Sequence, residues 1–164
     1  MLWLRTALFT LLAPGTVLVL VPGLLLVSGV GPSLGLGPAR WVGLPLVVLG
    51  MAAIATCFVD FIRRGRGTPA PYDPPRELVV AGLYRYVRNP QYVGVFFVSI
   101  GEALFFDKAI LLGYAALLTI AYHLFVTIYE EPTLARLFGE SYARYRESVP
   151  RWLPRWPAPT GRPD

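Results

Sequence analysis

Ala109–Tyr129 reads AILLGYAALLTIAYHLFVTIY, a run of 21 residues without a charged side chain. About 20 apolar residues in a helix cover the roughly 30 Å of hydrocarbon in a bilayer. The run therefore predicts a transmembrane helix. Asp107-Lys108 precedes it as a tight polar turn, and Pro90–Phe106 predicts a shorter span before that turn, with Glu102 inside it. The two segments together predict a helical hairpin.

Two further apolar segments precede the hairpin. The nearer one runs from Trp41 to about Ile62, and the first lies within residues 6–30. Pro14-Gly15 and Pro22-Gly23 predict a kink or break in the first segment, or a re-entrant hairpin. The uncharged stretch from Arg5 to Arg40 is longer than the apolar core of a signal peptide. We therefore expect it to stay in the protein as a membrane span and not to be cleaved off.

Composition and charge support a membrane location. Hydrophobic residues make up 55% of the chain and charged residues 15%, with a mean hydropathy of +0.54. Counting Lys and Arg gives 13 on the side of the termini and the loop 63–89, and 2 (Arg40 and Lys108) on the other. The positive-inside rule then places both termini and the loop in the cytoplasm. We expect the membrane to be the inner membrane of a bacterium. The net charge of +5 indicates anionic lipid headgroups as partners rather than nucleic acid.

We therefore predict one all-α integral membrane domain over residues 1–164, with about four transmembrane helices. Residues 1–62 supply two N-terminal spans, 63–89 a cytoplasmic loop interrupted by prolines, 90–129 the hairpin and 130–164 a cytoplasmic tail. The tail predicts an amphipathic helix that lies at the interface or folds back on the bundle, anchored by Trp152 and Trp156. Its apolar stripe is Leu134, Leu137, Phe138, Tyr142 and Tyr145.

Three polar clusters are candidates for chemistry, and each has a simpler explanation. Gly82–Gly94 combines arginines, tyrosines and Asn89-Pro90, but it also fits an aromatic belt with snorkelling arginines. Glu130-Glu131 pairs two carboxylates where the last span ends, or it is a solvated helix start. Leu137–Pro154 is otherwise an amphipathic helix with a stop signal.

Isolated residues carry weaker signals. His123 lies seven residues before Glu130, so a regular helix points both roughly the same way, and an ionisable residue in a span is a functional candidate. Glu102 either has a function or reaches the outer interface. The lone Cys57 predicts packing, and with a single His it predicts no protein zinc site.

Taken together, the clusters resemble the membrane-embedded methyltransferases of the isoprenylcysteine carboxyl methyltransferase type and the related phospholipid methyltransferases. One pattern joins Gly82, Tyr84, Arg88, Asn89, Pro90, Tyr92 and Gly94, and the other runs from Glu130 to Pro150. The family often has His at the position of Asn89, and its prenylcysteine enzymes have Arg at the position of Val126. A carboxylate acceptor would lack that cation here, so carboxylate, amine, thiol and hydroxyl acceptors stay open.

The resemblance implies that the hairpin and the tail enclose S-adenosylmethionine (SAM) on the cytoplasmic side, with a lipophilic acceptor entering from the bilayer and no metal. It places the cofactor contacts at Arg76, Glu77, Leu78, Val79, Tyr84, Asn89, Pro90, Gln91, Tyr92 and Glu130.

Methyl transfer from a sulfonium needs positioning more than acid–base chemistry. Carboxylates suit the amine and ribose of the donor, and aromatic faces suit its sulfonium. We hypothesise that His123 or Glu131 orients or deprotonates the acceptor. Two alternatives are an NADPH-dependent sterol-type reductase, whose relatives end in a comparable hairpin, and a membrane scaffold without catalysis.

Overall fold

The computed structural model describes residues 14–60, 63 and 78–155, and all regular elements in these parts of the chain are helical. The predicted all-α fold is confirmed there. Ser33 and Lys108 form an isolated bridge between two connections. The main helices are α1 (Thr16–Val27), α2 (Gly37–Asp60), α3 (Pro90–Phe105), α4 (Ala109–Phe125) and α5 (Glu131–Ser148).

Two helical stretches are long and apolar enough to cross a membrane. They are Gly37–Asp60 and Ala109–Ser148, whereas Thr16–Val27 and Pro90–Phe105 are apolar but shorter. Only 28% of the most apolar part of the first stretch, and 17% of that of the second, is buried within the protein. The core helix of a soluble protein would be mostly buried, so this exposed apolar surface suits a lipid environment.

The first helix continues through its prolines. It is helical from Pro14 to Val27 and does not break or reverse at Pro22-Gly23. Pro22 has no amide hydrogen for the carbonyl four residues before it, and the wider π turn Thr16–Leu20 lies directly before this defect. The earlier part of the predicted first span, residues 6–13, lies outside the described residues.

The connection between α1 and α2 docks on the turn between α3 and α4. The Asp107 carboxylate accepts hydrogen bonds from the Ser33 hydroxyl and, at 3.1 Å, from the Leu36 amide. The Ala109 amide donates to the Pro32 carbonyl at 3.1 Å. These contacts put both connections at one end of the bundle, here called the turn end. Residues 82–89 and the start of α5 lie at the opposite end, called the motif end.

Glycines let α2 and α3 approach backbone to backbone. Gly43 lies against Gly101, and Gly50 lies against Gly94, as expected for two antiparallel helices with glycines seven residues apart. A Cβ placed on Gly50 would come within 2.5 Å of the Gly94 carbonyl oxygen. In a lipid environment the hydrophobic effect does not drive helices together, and small residues at their interface let the backbones pack closely. This seam fixes the start of α3 against α2.

Gly50→Ala is expected to destabilise the protein by about 1–3 kcal/mol, because the obstructing atoms belong largely to the α3 backbone and cannot rotate away. The measurement is the melting temperature of the purified protein in detergent. Gly113→Ala is the matched control, because a Cβ on Gly113 of α4 meets nothing within 4 Å. Equal melting temperatures for the two variants would contradict the close approach of α2 and α3.

The tail helix packs on the segment just before the first motif. Tyr142, Tyr145 and Val149 are buried together, and Leu78, Val80, Leu134 and Phe138 pack against them. Leu137 is the exception to the predicted stripe, with 53% of its surface exposed. It lies about 100° round the helix from Phe138, outside the buried face. Gly139, at φ 51, interrupts α5.

Candidate functional site

The first polar motif meets the second through Tyr92 and Glu130. The Tyr92 hydroxyl, in the first turn of α3, donates to Glu130 Oε2 at 2.9 Å. Both side chains are partly buried. Tyr92 also packs on Tyr122 of α4, with ring centroids 4.7 Å apart. The hairpin therefore brings the two motifs together at the motif end.

A π turn sets the direction of Glu130. Residues Val126–Glu130 form one wide turn between α4 and α5, and Pro132 lies in the first turn of α5. The seven-residue alignment expected of His123 and Glu130 assumes a regular helix, and this turn changes the angle between them. Single π turns inside helices are frequent at functional sites. Here the turn presents Glu130 to Tyr92.

The segment after α5 runs back along the first motif. The Arg88 amide donates to the Pro150 carbonyl at 2.8 Å, and the Arg155 amide donates to the Tyr86 carbonyl at 3.0 Å. We call residues 149–155 the strap. Because its backbone bonds directly to residues 86–88, the strap and the first motif form one unit.

Two side chains reinforce this unit. Asn89 Nδ2 donates to the Arg151 carbonyl at 3.1 Å. The Tyr145 hydroxyl of α5 donates to the Tyr84 carbonyl at 2.8 Å. Asn89 is 8% exposed and Tyr84 is equally buried, so the loss of either bond would leave a polar group without water to replace its partner.

Glu131 lies between two arginines. Arg151 Nε and Nη2 donate to its two carboxylate oxygens at 2.7 and 2.9 Å, a bidentate pair. Arg88 Nη1 lies 2.9 Å from Glu131 Oε1. The Glu131 side chain is 9% exposed and that of Arg88 10%, so solvent screens these charges little.

Aromatic rings surround the strap where it meets the hairpin. The Trp152 indole N–H donates to His123 Nδ1 at 3.2 Å. The Trp152 ring also packs on Phe96 of α3, with centroids 5.6 Å apart. Trp152 therefore links the strap to both arms of the hairpin. Trp156, the second predicted anchor, lies outside the described residues.

Burial controls the ionisation of this region. It raises the pKa of Glu130, with the Tyr92 hydrogen bond opposing the shift and nearby Glu131 adding to it. Burial also raises the pKa of the Tyr84 and Tyr145 hydroxyls, which keeps both neutral. Hydrogen bonding to Glu131 raises the pKa of the Arg151 guanidinium.

The end of α2 packs against the first motif. Asp60, 8% exposed, lies against Gly82, and a Cβ on Gly82 would overlap its carboxylate. Gly82 also has φ 59, so both its conformation and this close approach require glycine. Cys57 packs there with Val79 and Tyr84, in agreement with its predicted packing role.

The described members of the predicted cofactor contacts lie along residues 78–92 and at Glu130, which Tyr92 joins to them. Leu78 packs against α5, and Val79 packs with Tyr84. Pro90 begins α3, and Gln91 is partly buried in its first turn. Arg76 and Glu77 lie outside the described residues. In the part of the chain that the structure covers, no three His, Cys, Asp or Glu side chains gather as metal ligands would.

The fold and site define a class: a helical protein with lipid-compatible helices and a polar site at one end of a hairpin. The chain belongs to the phospholipid methyltransferase family, whose family model matches residues 38–141. The family and the two apolar helices together make it an integral membrane protein.

Curated relatives are similar over about half of this chain. The protein-S-isoprenylcysteine O-methyltransferase of Xenopus laevis is 40% identical over 81 residues, which are 47% of this chain and 27% of that protein. The Schizosaccharomyces pombe enzyme of that name is 36% identical over 81 residues, 49% of this chain and 34% of that protein. The Homo sapiens enzyme of that name is 38% identical over 77 residues, which are 47% of this chain and 27% of that protein.

The matched stretch thus spans about a quarter to a third of the length of these relatives. No solved structure matches the chain. The resemblance stated from the motifs is confirmed by the family match, and these methyltransferase relatives favour that class over the reductase and the scaffold.

The sequence placed Arg88 in the first motif and Arg151 in the third cluster but paired neither with Glu131. It assigned no site role to Asp60, which lies against Gly82. A signal was present for Asp60, the first charge after a long apolar run. No comparable signal pairs Arg151 with Glu131, because 20 residues and the whole of α5 separate them.

Proposed function

We propose that this protein transfers a methyl group from SAM to a lipophilic or membrane-associated acceptor at the cytoplasmic face of the membrane. The observation that carries the proposal is the hydrogen bond between Tyr92 and Glu130, which makes one site of two motifs distant in sequence. The family to which the chain belongs supplies the reaction class.

The residue types at the motif end fit the donor. SAM supplies an electrophilic methyl group on a positively charged sulfur. Glu130 provides a carboxylate for a cationic amine or ribose hydroxyls, and Asn89 offers both a donor and an acceptor. The rings of Tyr92 and Tyr122 have centroids 4.7 Å apart and planes tilted by 31°, and their faces are surfaces to which a cation is attracted.

The proposed donor contacts comprise residues on both motifs and on the segment before them. They are Arg76, Glu77, Leu78, Val79, Tyr84, Asn89, Pro90, Gln91, Tyr92 and Glu130. These side chains and backbone groups hold the donor in one orientation, and positioning alone can lower a barrier by up to about 7–11 kcal/mol.

We further propose that α1 to α4 are four spans of one membrane domain over residues 1–164, with the motif end and both termini in the cytoplasm. Arg40 and Lys108 lie in or beside the connections of the turn end. The thirteen other basic residues then face the cytoplasm, as the positive-inside rule requires of a bacterial inner membrane. In this arrangement the donor enters from water and the acceptor from lipid.

His123 is the proposed group at the acceptor. Its Nδ1 accepts from Trp152, so Nε2 is left as a donor that can orient the acceptor. We expect His123→Ala to lower kcat by about 100-fold while the Kd for SAM stays within threefold, as for the loss of a group that positions the acceptor. Full turnover by the variant would remove His123 from this role.

Ligand binding separates the proposal from its alternatives. The purified protein in detergent is heated with SAM, with S-adenosylhomocysteine or with NADPH. A ligand that binds only the native state raises the melting temperature, by an amount that grows with its concentration over Kd. We expect stabilisation by SAM and S-adenosylhomocysteine. Stabilisation by NADPH alone would support the reductase, and stabilisation by none would support the scaffold.

A further inference from the structure

Glu131 lies at the centre of a buried cluster of charges that joins three parts of the site. Its carboxylate, in the first turn of α5, accepts from Arg151 of the strap and lies beside Arg88 of the first motif. Arg88 directly precedes Asn89 in the chain, and the Arg151 carbonyl accepts from Asn89 Nδ2. The cluster is therefore linked to Asn89 twice, through its chain neighbour Arg88 and through its hydrogen-bond partner Arg151.

The cluster is poorly arranged for proton transfer. Both oxygens of Glu131 already accept from a guanidinium, and a proton on either would displace one of these partners. Arg88 lies against the same carboxylate at 2.9 Å. A group so engaged is unsuited to take a proton from an acceptor.

The cluster is also poorly arranged for stability alone. Buried ion pairs often cost as much in desolvation as they return. Arg88 Nε and Nη1 are buried without a hydrogen-bond partner among the described residues, although Nη1 lies close to Glu131. These unsatisfied donors indicate that the role of the cluster is to fix the positions of its residues.

Asn89 is the residue that needs this geometry. Its side-chain amide can be placed two ways, with oxygen and nitrogen exchanged, and only a fixed hydrogen-bond network selects one. The bond from Nδ2 to the Arg151 carbonyl selects the orientation here. Glu131 fixes the position of Arg151, and through it the carbonyl that Asn89 needs.

We propose that Glu131 is a positioning residue, which orients the Asn89 amide toward the methyl donor by holding Arg151 and Arg88. This inference rests on the proposed function, since it assigns Asn89 to the donor site. Glu131 then acts on donor affinity and not as the acid or base of the reaction.

The test is a double-mutant cycle on the full chain in detergent, with the Kd for radiolabelled SAM as the readout. Glu131→Gln and Asn89→Ala are each expected to weaken binding by about 10-fold, as for the loss of one hydrogen bond to a charged ligand. If Glu131 acts through Asn89, the double variant is also only about 10-fold weaker. A double variant about 100-fold weaker would show independent effects and overturn the proposal.

Steady-state kinetics give a second readout. Glu131→Gln is expected to raise KM for SAM about 10-fold while kcat and the shape of its pH profile change little. A large loss of kcat with unchanged affinity would instead make Glu131 the acid or base, and would overturn the proposal.

Two further variants guard against misfolding. Arg151→Lys keeps the charge but loses the bidentate pair, so it is expected to weaken SAM binding severalfold and to show no further loss when combined with Asn89→Ala. Glu140→Gln breaks an exposed pair with Arg144 on the same helix and is expected to leave Kd unchanged. Binding of SAM by the wild type is measured first. Its absence would contradict the proposed function itself, whereas wild-type binding with independent effects contradicts the positioning role alone.

Discussion

Glu130→Gln is expected to weaken SAM binding by about 10- to 100-fold and to lower kcat/KM by a similar factor. The substitution keeps the shape of the side chain but removes the negative charge that we assign to the donor's amine or ribose. Hydrogen bonds to charged groups contribute about 1.5–3 kcal/mol, and each 1.4 kcal/mol is a factor of ten. The measurements are isothermal titration with SAM and initial rates of methyl transfer.

The pH dependence of binding gives an independent check on the same carboxylate. Burial raises the pKa of Glu130, so its protonation, and with it the loss of SAM affinity, is expected at a higher pH than for an ordinary glutamate. Affinity therefore falls as pH falls, and Glu130→Gln should lack this dependence. Tyr92→Phe removes only the bond to Glu130 and is expected to have a smaller effect. Unchanged binding by Glu130→Gln would contradict the assignment.

Truncation of the chain after Ser148 is expected to abolish measurable methyl transfer, with a loss of at least about 100-fold. The truncation removes the strap, and with it the Pro150 carbonyl that binds Arg88, the Arg151 groups that hold Glu131 and Asn89, and the Trp152 contact with His123. Without the strap, the first motif keeps its direct contacts with Glu130, Glu131 and Tyr145 but loses those that the strap provides.

A chain that ends after Arg155 is the control, because it keeps every one of these contacts. Circular dichroism of both truncated proteins checks that the helices remain, and initial rates with SAM give the outcome. A chain ending at Ser148 that is as active as the control would show that the strap does not contribute to the site.

The sequence was sufficient for the two helices of the hairpin and for the meeting of the two motifs. Apolar length and Pro90 predicted α3 and α4 to within a few residues, because a bilayer imposes one helix length and a proline suits the first turn. The tight turn at Asp107 then required the ends of this hairpin to be neighbours, which brought Tyr92 near Glu130.

Other parts could not be predicted, because they depend on contacts between distant residues. The π turn at Val126–Glu130 has no composition signal. The contact of Gly50 with Gly94 belongs to a pattern of glycines seven residues apart, and this spacing is visible in the sequence. The sequence does not show which two helices these glycines bring together. The pairing of Glu131 with Arg151 needs the strap to turn back after α5, and its final orientation depends on backbone bonds formed by residues 86–88.

In the proposed site, the start of α3, the π turn and the strap together hold the methyl donor. Ultraviolet cross-linking of radiolabelled SAM to the full-length protein, followed by peptide mapping, locates the donor. We expect label, competed by S-adenosylhomocysteine, on peptides that contain Tyr84–Tyr92 and Tyr122–Trp152. Competed label confined to peptides of α1 or of the turn end would contradict this placement.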